Sequence, residues 1–232
     1  MKASIRRRIK RVLIYVPLYC LLASLVAIMV FRFVPVCYTP LMALRSFEYR
    51  KDTGYYTRRE WKPLIEMGAE LPMAVMVAED IRFIIHKGFD WEAIRQAKED
   101  HAAGKALRGA STISQQTAKN VFLLPHRSWI RKGLEAYFTI GIEWVWGKKR
   151  ILEVYLNVAE MGPGVFGAEA AAQYYYHKSA KELTAKEAAL IASCLPNPKE
   201  RNPLFPTRSM KNRQEDIERT MSLLPTPMWL LE

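Results

Sequence analysis

Cysteine is scarce in this chain. Only Cys20, Cys37 and Cys194 occur among 232 residues, and that odd, sparse set excludes a disulfide framework and has no metal-ligand spacing. Cys20 falls in an apolar stretch, so the only pairing left open is Cys37 with Cys194. Strict alternation of apolar and polar residues is never sustained, which leaves few or no strands. No repeat and no low-complexity tract is present, and no His-Glu-x-x-His pattern surrounds His86, which argues against a zinc site. Charge itself is missing from Val12 to Phe31.

That uncharged run is rich in Leu, Ile, Val, Ala and Met, and about 20 apolar residues suffice to cross a bilayer as a helix. Pro17 lies in its first part, where a proline costs least. Six basic residues precede it (Lys2, Arg6, Arg7, Arg8, Lys10 and Arg11) with no acid among residues 1–11. Positive charge stays cytoplasmic, so the chain beyond the helix faces outward. The run is longer than the h-region of a cleaved signal peptide, and no small-x-small cleavage site follows closely. The expected organisation is a basic cytoplasmic segment over 1–11, a transmembrane anchor over 12–31, a juxtamembrane connector over 32–60 in which Pro35 and Pro40 limit helix, and one outer domain over 61–232. The net charge is +12, and half of it belongs to the body of the chain. This favours an anionic partner such as a phosphate, an acidic membrane surface or nucleic acid.

The outer domain reads as mainly helical. Apolar spacing predicts helices over Trp61–Met67, Pro72–Ile85, Trp91–Ala103, Thr112–Val121, Trp129–Val145, Lys149–Val158, Gly167–Tyr176 and Thr184–Cys194. Thr112 with Gln115, and Thr184 with Glu187, have capping-box spacing. Leu195-Pro196-Asn197-Pro198 stops the last of these helices.

Four blocks carry chemistry. In the first, helical spacing places Glu79, Phe83 and His86 on one face. A carboxylate beside an apolar stripe suits general acid/base work, but spacing alone favours an ordinary acidic pair, Glu79 and Asp80, neutralised by Arg82 and Lys87. The second runs from Gly109 to Asn120. Its helix begins at Thr112, where free N–H groups suit phosphate, and Gln115 with Lys119 and Gln116 with Asn120 stack at one-turn spacing. A capped surface helix is the plainer reading. In the third, Arg131 and Lys132 could hold a pyrophosphate and Glu135 orient it, although an i,i+4 surface pair contributes only about 0.3–0.5 kcal/mol. The fourth, Lys148 to Asn157, is mostly a core stripe, with Lys148 a further cation for phosphate. Between the second and third, Val121–Ile130 mixes apolar and basic residues as an interfacial element does; buried core is the competing reading.

In this order and register the blocks resemble the peptidoglycan glycosyltransferase family, which includes monofunctional biosynthetic transglycosylases and the glycosyltransferase domains of bifunctional penicillin-binding proteins. The likeness runs from about Leu71 to Pro203. It rests on Glu79-Asp80-x-x-Phe83-x-x-His86-x-Gly88, Gly109-x-Ser111-Thr112-Ile113-Ser114-Gln115-Gln116-x-x-Lys119-Asn120, Arg131-Lys132-x-x-Glu135 and Lys148-x-x-Ile151-Leu152-Glu153-x-Tyr155-Leu156-Asn157.

The resemblance implies a lysozyme-like helical domain with a small membrane-associated jaw, lipid II as donor and the nascent glycan strand as second substrate. Glu79 is then the general base, and the acceptor hydroxyl displaces undecaprenyl pyrophosphate with inversion. Lys119, Arg131 and Lys132 stabilise the leaving charge. Glu135 positions the phosphate or a divalent cation, Mg or Mn; no other cofactor is implied. Ser111, Thr112, Gln115, Gln116 and Asn120 belong to the substrate cleft, with Lys148 nearby, and Asp80, Phe83, His86 and Gly88 support the Glu79 loop. The implied location is the cytoplasmic (inner) membrane, with membrane lipid, other cell-wall synthases and division proteins as partners and no nucleic acid. Ile81 and Val165-Phe166 depart from the family pattern without removing an assigned catalytic group. No Ser-x-x-Lys pattern follows, so transpeptidation is not expected. A lytic enzyme and a non-catalytic scaffold are the competing functions; the cations Lys119, Arg131 and Lys132 argue against the first, and the pair Glu79 and Glu135 against the second.

Overall fold

A computed structural model describes residues 2–50, 57–104, 109–126 and 128–231. The chain forms two compact units, Met1–Pro35 and Val36–Glu232. The first is one helix, α1 (Lys2–Phe31), which runs through Pro17 without interruption. Its Leu13–Phe31 part is long and apolar enough to cross a membrane. Leu13, Tyr15, Leu18, Leu22, Val26 and Met29 are all exposed, the all-round apolar surface of a span rather than the single stripe of a surface helix.

The second unit is helical with one small sheet. Helix α2 (Pro40–Tyr49) is followed by strand β1 (Arg58–Arg59), then α3 (Glu70–Glu79), α4 (Trp91–Ala102), α5 (Ile113–Phe122), α6 (Trp129–Val145) and α7 (Gly147–Val158). Strands β2 (Glu160–Gly162) and β3 (Val165–Phe166) precede α8 (Ala168–Tyr176), α9 (Ala185–Cys194), α10 (Arg208–Leu223) and α11 (Met228–Leu231). β3 is central in the sheet, parallel to β1 and antiparallel to β2. Two helical layers make the core, α3 with α9 and α10, and α5 with α6 and α7. Ala188, Ala189 and Ala192 are fully buried on α9, and such small side chains let α3 and α10 approach closely. Gly167 has φ +89°, and a Cβ there would stand 2.8 Å from the Asn157 carbonyl oxygen, so only glycine fits between β3 and α8.

Both expected capping boxes form, Thr112 with Gln115 and Thr184 with Glu187. Several boundaries differ from the sequence expectation. The helix expected over Pro72–Ile85 stops at Glu79, where Asp80 turns extended (φ −162°). Trp61–Met67 holds only a 3-10 turn, Leu64–Glu66. In the connector, Pro40 starts a helix instead of preventing one: it occupies the first turn of α2, behind a Thr39 cap that accepts from the Met42 N–H. At N1 the missing proline N–H costs nothing. This part of the connector belongs to the second unit, tied in by Arg45 Nε donating to Glu160 at 3.0 Å. α10 was not expected at all. Cys194 is buried, Cys37 is exposed, and both are free thiols.

Candidate active site

The end of α3 sets the site. Helix and apolar periodicity part company at Asp80 because its carboxylate has two donors to satisfy. His86 Nε2 approaches its two oxygens at 3.0 and 2.9 Å, and the Ile113 N–H donates to Oδ2 at 2.9 Å. The Gly88 N–H donates to His86 Nδ1 at 3.1 Å, which assigns the ring proton to Nε2, facing Asp80. Thr112 Oγ1 donates to the Gly88 carbonyl at 2.6 Å. Gly88 has φ +89°, and a Cβ there would meet Thr139 Cγ2 at 2.9 Å. The 80–88 turn and the start of α5 are therefore one buried polar network. Phe83 and His86 are buried within it and reach their places through a tight turn rather than the shared helical face that spacing suggested.

This network also revises the expected phosphate site at the start of α5. Asp80, an internal anion, already takes the Ile113 N–H, and Thr112 Oγ1 accepts from the Gln115 N–H at 3.1 Å. Gln115 Oε1 in turn accepts from the Thr112 N–H at 3.0 Å. Thr112 and Gln115 are both buried, so they hold the helix start and line neither of the cavities described below.

Glu79, one residue earlier, faces a cleft of about 720 Å³ whose walls include Ser111, Gln116, Arg213, Asp216 and Thr220. Gln116 Nε2 donates to Glu79 Oε2 at 3.0 Å, and the Tyr155 hydroxyl donates to Gln116 Oε1 at 3.2 Å. Arg213 Nη2 lies 3.6 Å from Glu79 Oε1. Burial raises the pKa of Glu79; the Gln116 hydrogen bond, Arg213 and Lys119 oppose the rise, and Asp80 adds to it. Burial, with the charges of Glu79 and Asp80, pushes the Tyr155 hydroxyl well above its ordinary range. A half-buried carboxylate held by an oriented amide, at the wall of a cleft wide enough for sugar rings, can accept a proton from a substrate hydroxyl.

One turn further along α5, Lys119 and Asn120 line a second cavity of about 260 Å³ with Arg131, His126, Leu41 and Leu123. Glu135 is buried on α6 and accepts from Arg131 Nη1 at 3.3 Å and from Lys132 Nζ. Arg131 Nε is buried and has no hydrogen-bond partner among the described residues. Burial lowers the pKa of Lys119; Glu135 opposes this, Arg131 and Lys132 add to it, and Glu79 offsets part. Three cations share one buried carboxylate here, so the cluster has positive charge to offer a diphosphate. Glu135 already accepts from two cations, and no group of three or more His, Cys, Asp or Glu side chains placed to hold a metal ion occurs among the described residues.

The fourth block lies elsewhere. Lys148 Nζ donates to Glu143 at 2.6 Å and stands 4.6 Å from the centre of the Phe83 ring, while Ser114 Oγ donates to the same Glu143 oxygen at 2.5 Å. Lys148 thus braces the 80–88 turn from behind and lines neither cavity. Exposed apolar side chains extend beyond Val121–Ile130. Val121 and Leu123 are buried, but Trp129, Ile130, Leu134, Ile140 and Trp144 on α6 are exposed, Trp144 at 92%. Arg213 and Glu143 lie outside the four blocks, and Tyr155 stands in the fourth only as part of its core stripe.

The transglycosylase family model matches residues 47–222. A biosynthetic peptidoglycan transglycosylase of Bdellovibrio bacteriovorus is 50% identical over 196 residues, covering 84% of this chain and 78% of that protein. One of Caulobacter vibrioides is 44% identical over 213 residues, covering 92% and 91%. One of Pasteurella multocida is 44% identical over 226 residues, covering 95% and 91%.

Proposed function

The chain belongs to the transglycosylase family of peptidoglycan biosynthesis, and from that premise we propose that it polymerises lipid II into glycan strands at the outer face of the cytoplasmic membrane, releasing undecaprenyl pyrophosphate. The observation that carries this reading is the arrangement along α5. Gln116 holds the Glu79 carboxylate at the cleft, and Lys119, about one turn later, belongs to the cation cluster. Gln116, which holds the base, and Lys119, which belongs to the anion site, thus lie about 4.5 Å of helical rise apart on one element, at 1.5 Å per residue.

In the proposed reaction, Glu79 accepts the proton of the acceptor sugar hydroxyl. The hydroxyl oxygen forms the new bond to the donor's anomeric carbon from the face opposite the diphosphate, so the configuration inverts. The anomeric carbon–oxygen bond breaks, and its electron pair leaves on undecaprenyl pyrophosphate. Lys119 and Arg131, with Lys132 behind them, face the charge that develops there, and partial burial makes each contact stronger than it would be in water. Glu135 keeps Arg131 and Lys132 together while the site is empty. Ser111 and Asn120 supply polar contacts to sugar and diphosphate. The basic residues at the start of α1 stay cytoplasmic, which supports an outward-facing second unit, and the exposed apolar face of α6 rests in the lipid interface where a lipid-linked substrate arrives.

The test is incubation of detergent-purified protein with labelled lipid II and separation of polymer from monomer. Muramidase-sensitive polymer that disappears in Glu79→Gln is the expected result. Absence of polymer with release of fragments from preformed peptidoglycan would transfer the assignment to a lytic reaction.

A further inference from the structure

The reaction needs Glu79 ionised, and yet its position works against ionisation. Burial raises its pKa, as does neighbouring Asp80. The groups facing it from other elements are Gln116 and Lys119 on α5, Tyr155 on α7 and Arg213 on α10, with Asp216 in the same cleft wall. Two of these are cations. Lys119 belongs to the cation cluster and also feels Glu135. A diphosphate bound there brings negative charge of its own, which cancels the help Lys119 gives Glu79 and adds repulsion. Arg213 approaches from another helix, and it is the one cation with an ion-pair contact to Glu79 among the described residues, at 3.6 Å.

The placement of Arg213 is fixed independently of that pair. Its Nη2 donates to the Ala78 carbonyl at 2.9 Å, in the last turn of α3, where a cation is also favoured by the helix dipole. The guanidinium is therefore anchored to the backbone beside the base and faces Oε1, while Gln116 holds Oε2. At 3.6 Å the contact to Oε1 is an ion pair without a close hydrogen bond, which leaves that oxygen open to an incoming hydroxyl.

We propose that Arg213 is a positioning residue of the catalytic base, the cation that continues to face Glu79 when a diphosphate engages Lys119. The inference rests on the reading of Glu79 as general base. An opposite charge at this range lowers a carboxyl pKa by about 1–3 units. The Arg213 side chain is 39% exposed, so solvent screening keeps its effect at the low end of that range.

The experiment is the pH–rate profile of polymerisation at saturating lipid II for wild type, Arg213→Gln and Arg213→Lys, with thermal melts of each. Gln keeps an N–H donor for the Ala78 carbonyl but carries no charge, and Lys restores the charge. The expected result is an acidic limb displaced upward by about one pH unit in Arg213→Gln, a roughly tenfold loss of rate below that limb, recovery at higher pH, and return of the limb in Arg213→Lys. A slower Arg213→Gln enzyme whose limb coincides with that of wild type would overturn the inference and leave Arg213 a structural tie to α3; so would a Lys variant displaced as far as the Gln variant. If Gln prevents folding, Arg213→Met against Arg213→Lys makes the same comparison. Failure of the underlying reading has a different signature: polymerisation that survives Glu79→Gln.

Discussion

Removing the Asp80 side chain tests whether the 80–88 turn is held by the network around it. In Asp80→Ala the His86 Nε2–H and the Ile113 N–H both lose their acceptor, and both residues are buried. An unsatisfied buried donor costs about 1–3 kcal/mol. Two of them give roughly 2–6 kcal/mol, and the slight exposure of His86 (9%) lets water relieve part of its share, so about 2–4 kcal/mol is expected. For a unit of this size each kcal/mol lowers the melting temperature by about 2–4 °C, giving a fall of roughly 5–15 °C. Asp80→Asn should fall between Ala and wild type. Its amide oxygen can accept from the Ile113 N–H, but the uncharged group bonds more weakly and its NH₂ faces the His86 N–H. The assay is far-UV circular dichroism melting of the detergent-solubilised protein, with polymerisation measured below the transition. Polymerisation should also fall, because Glu79 loses the turn that follows it. An Asp80→Ala protein that melts with wild type would refute the assignment of Asp80 as the anchor of this turn.

Glu79→Gln should melt at or above the wild-type temperature while losing polymerisation. The folded-state pKa of Glu79 is raised, so the folded state binds the extra proton between the unfolded and folded pKa values, and stability falls as pH rises through that window. At neutral pH the ionised, half-buried carboxylate is a net cost that a neutral amide removes, and a clear drop in melting temperature at pH 7 would contradict this. Glu135→Gln leaves Arg131, Lys132 and Lys119 without their shared anion, so Lys119 loses a group that holds its pKa up; donor KM should change and the basic limb of the rate profile should move to lower pH, whereas an unmoved limb would refute the coupling. Trp129→Phe with Trp144→Phe should reduce quenching of tryptophan fluorescence by brominated lipid in reconstituted protein, and unchanged quenching would remove the α6 face from the membrane interface.

Much of this was legible along the chain because its causes are local. The uncharged run of α1 matches the thickness of a bilayer core in any context. The Thr112 and Thr184 capping boxes close within three residues, and the apolar period of α5 to α9 needs no distant partner to be read. Glu79, Lys119, Arg131 and Glu135 could be picked out from their spacing together with the family resemblance. Local cues failed where long-range bonds decided. Helix periodicity continues past Glu79 through Phe83 and His86, but the chain turns because Asp80 has donors waiting on His86 and on Ile113, 33 positions away. Thr112 and Gln115 look like cleft residues in sequence, and the tertiary structure closes them inside. α10 buries only Met210, Gln214 and Ile217, a stripe too thin to stand out among its charges. Only the packing of that helix against α3 and α9 brings Arg213 to Glu79, because an ion pair between residues so far apart in sequence is set by how helices stack and not by any period along one of them.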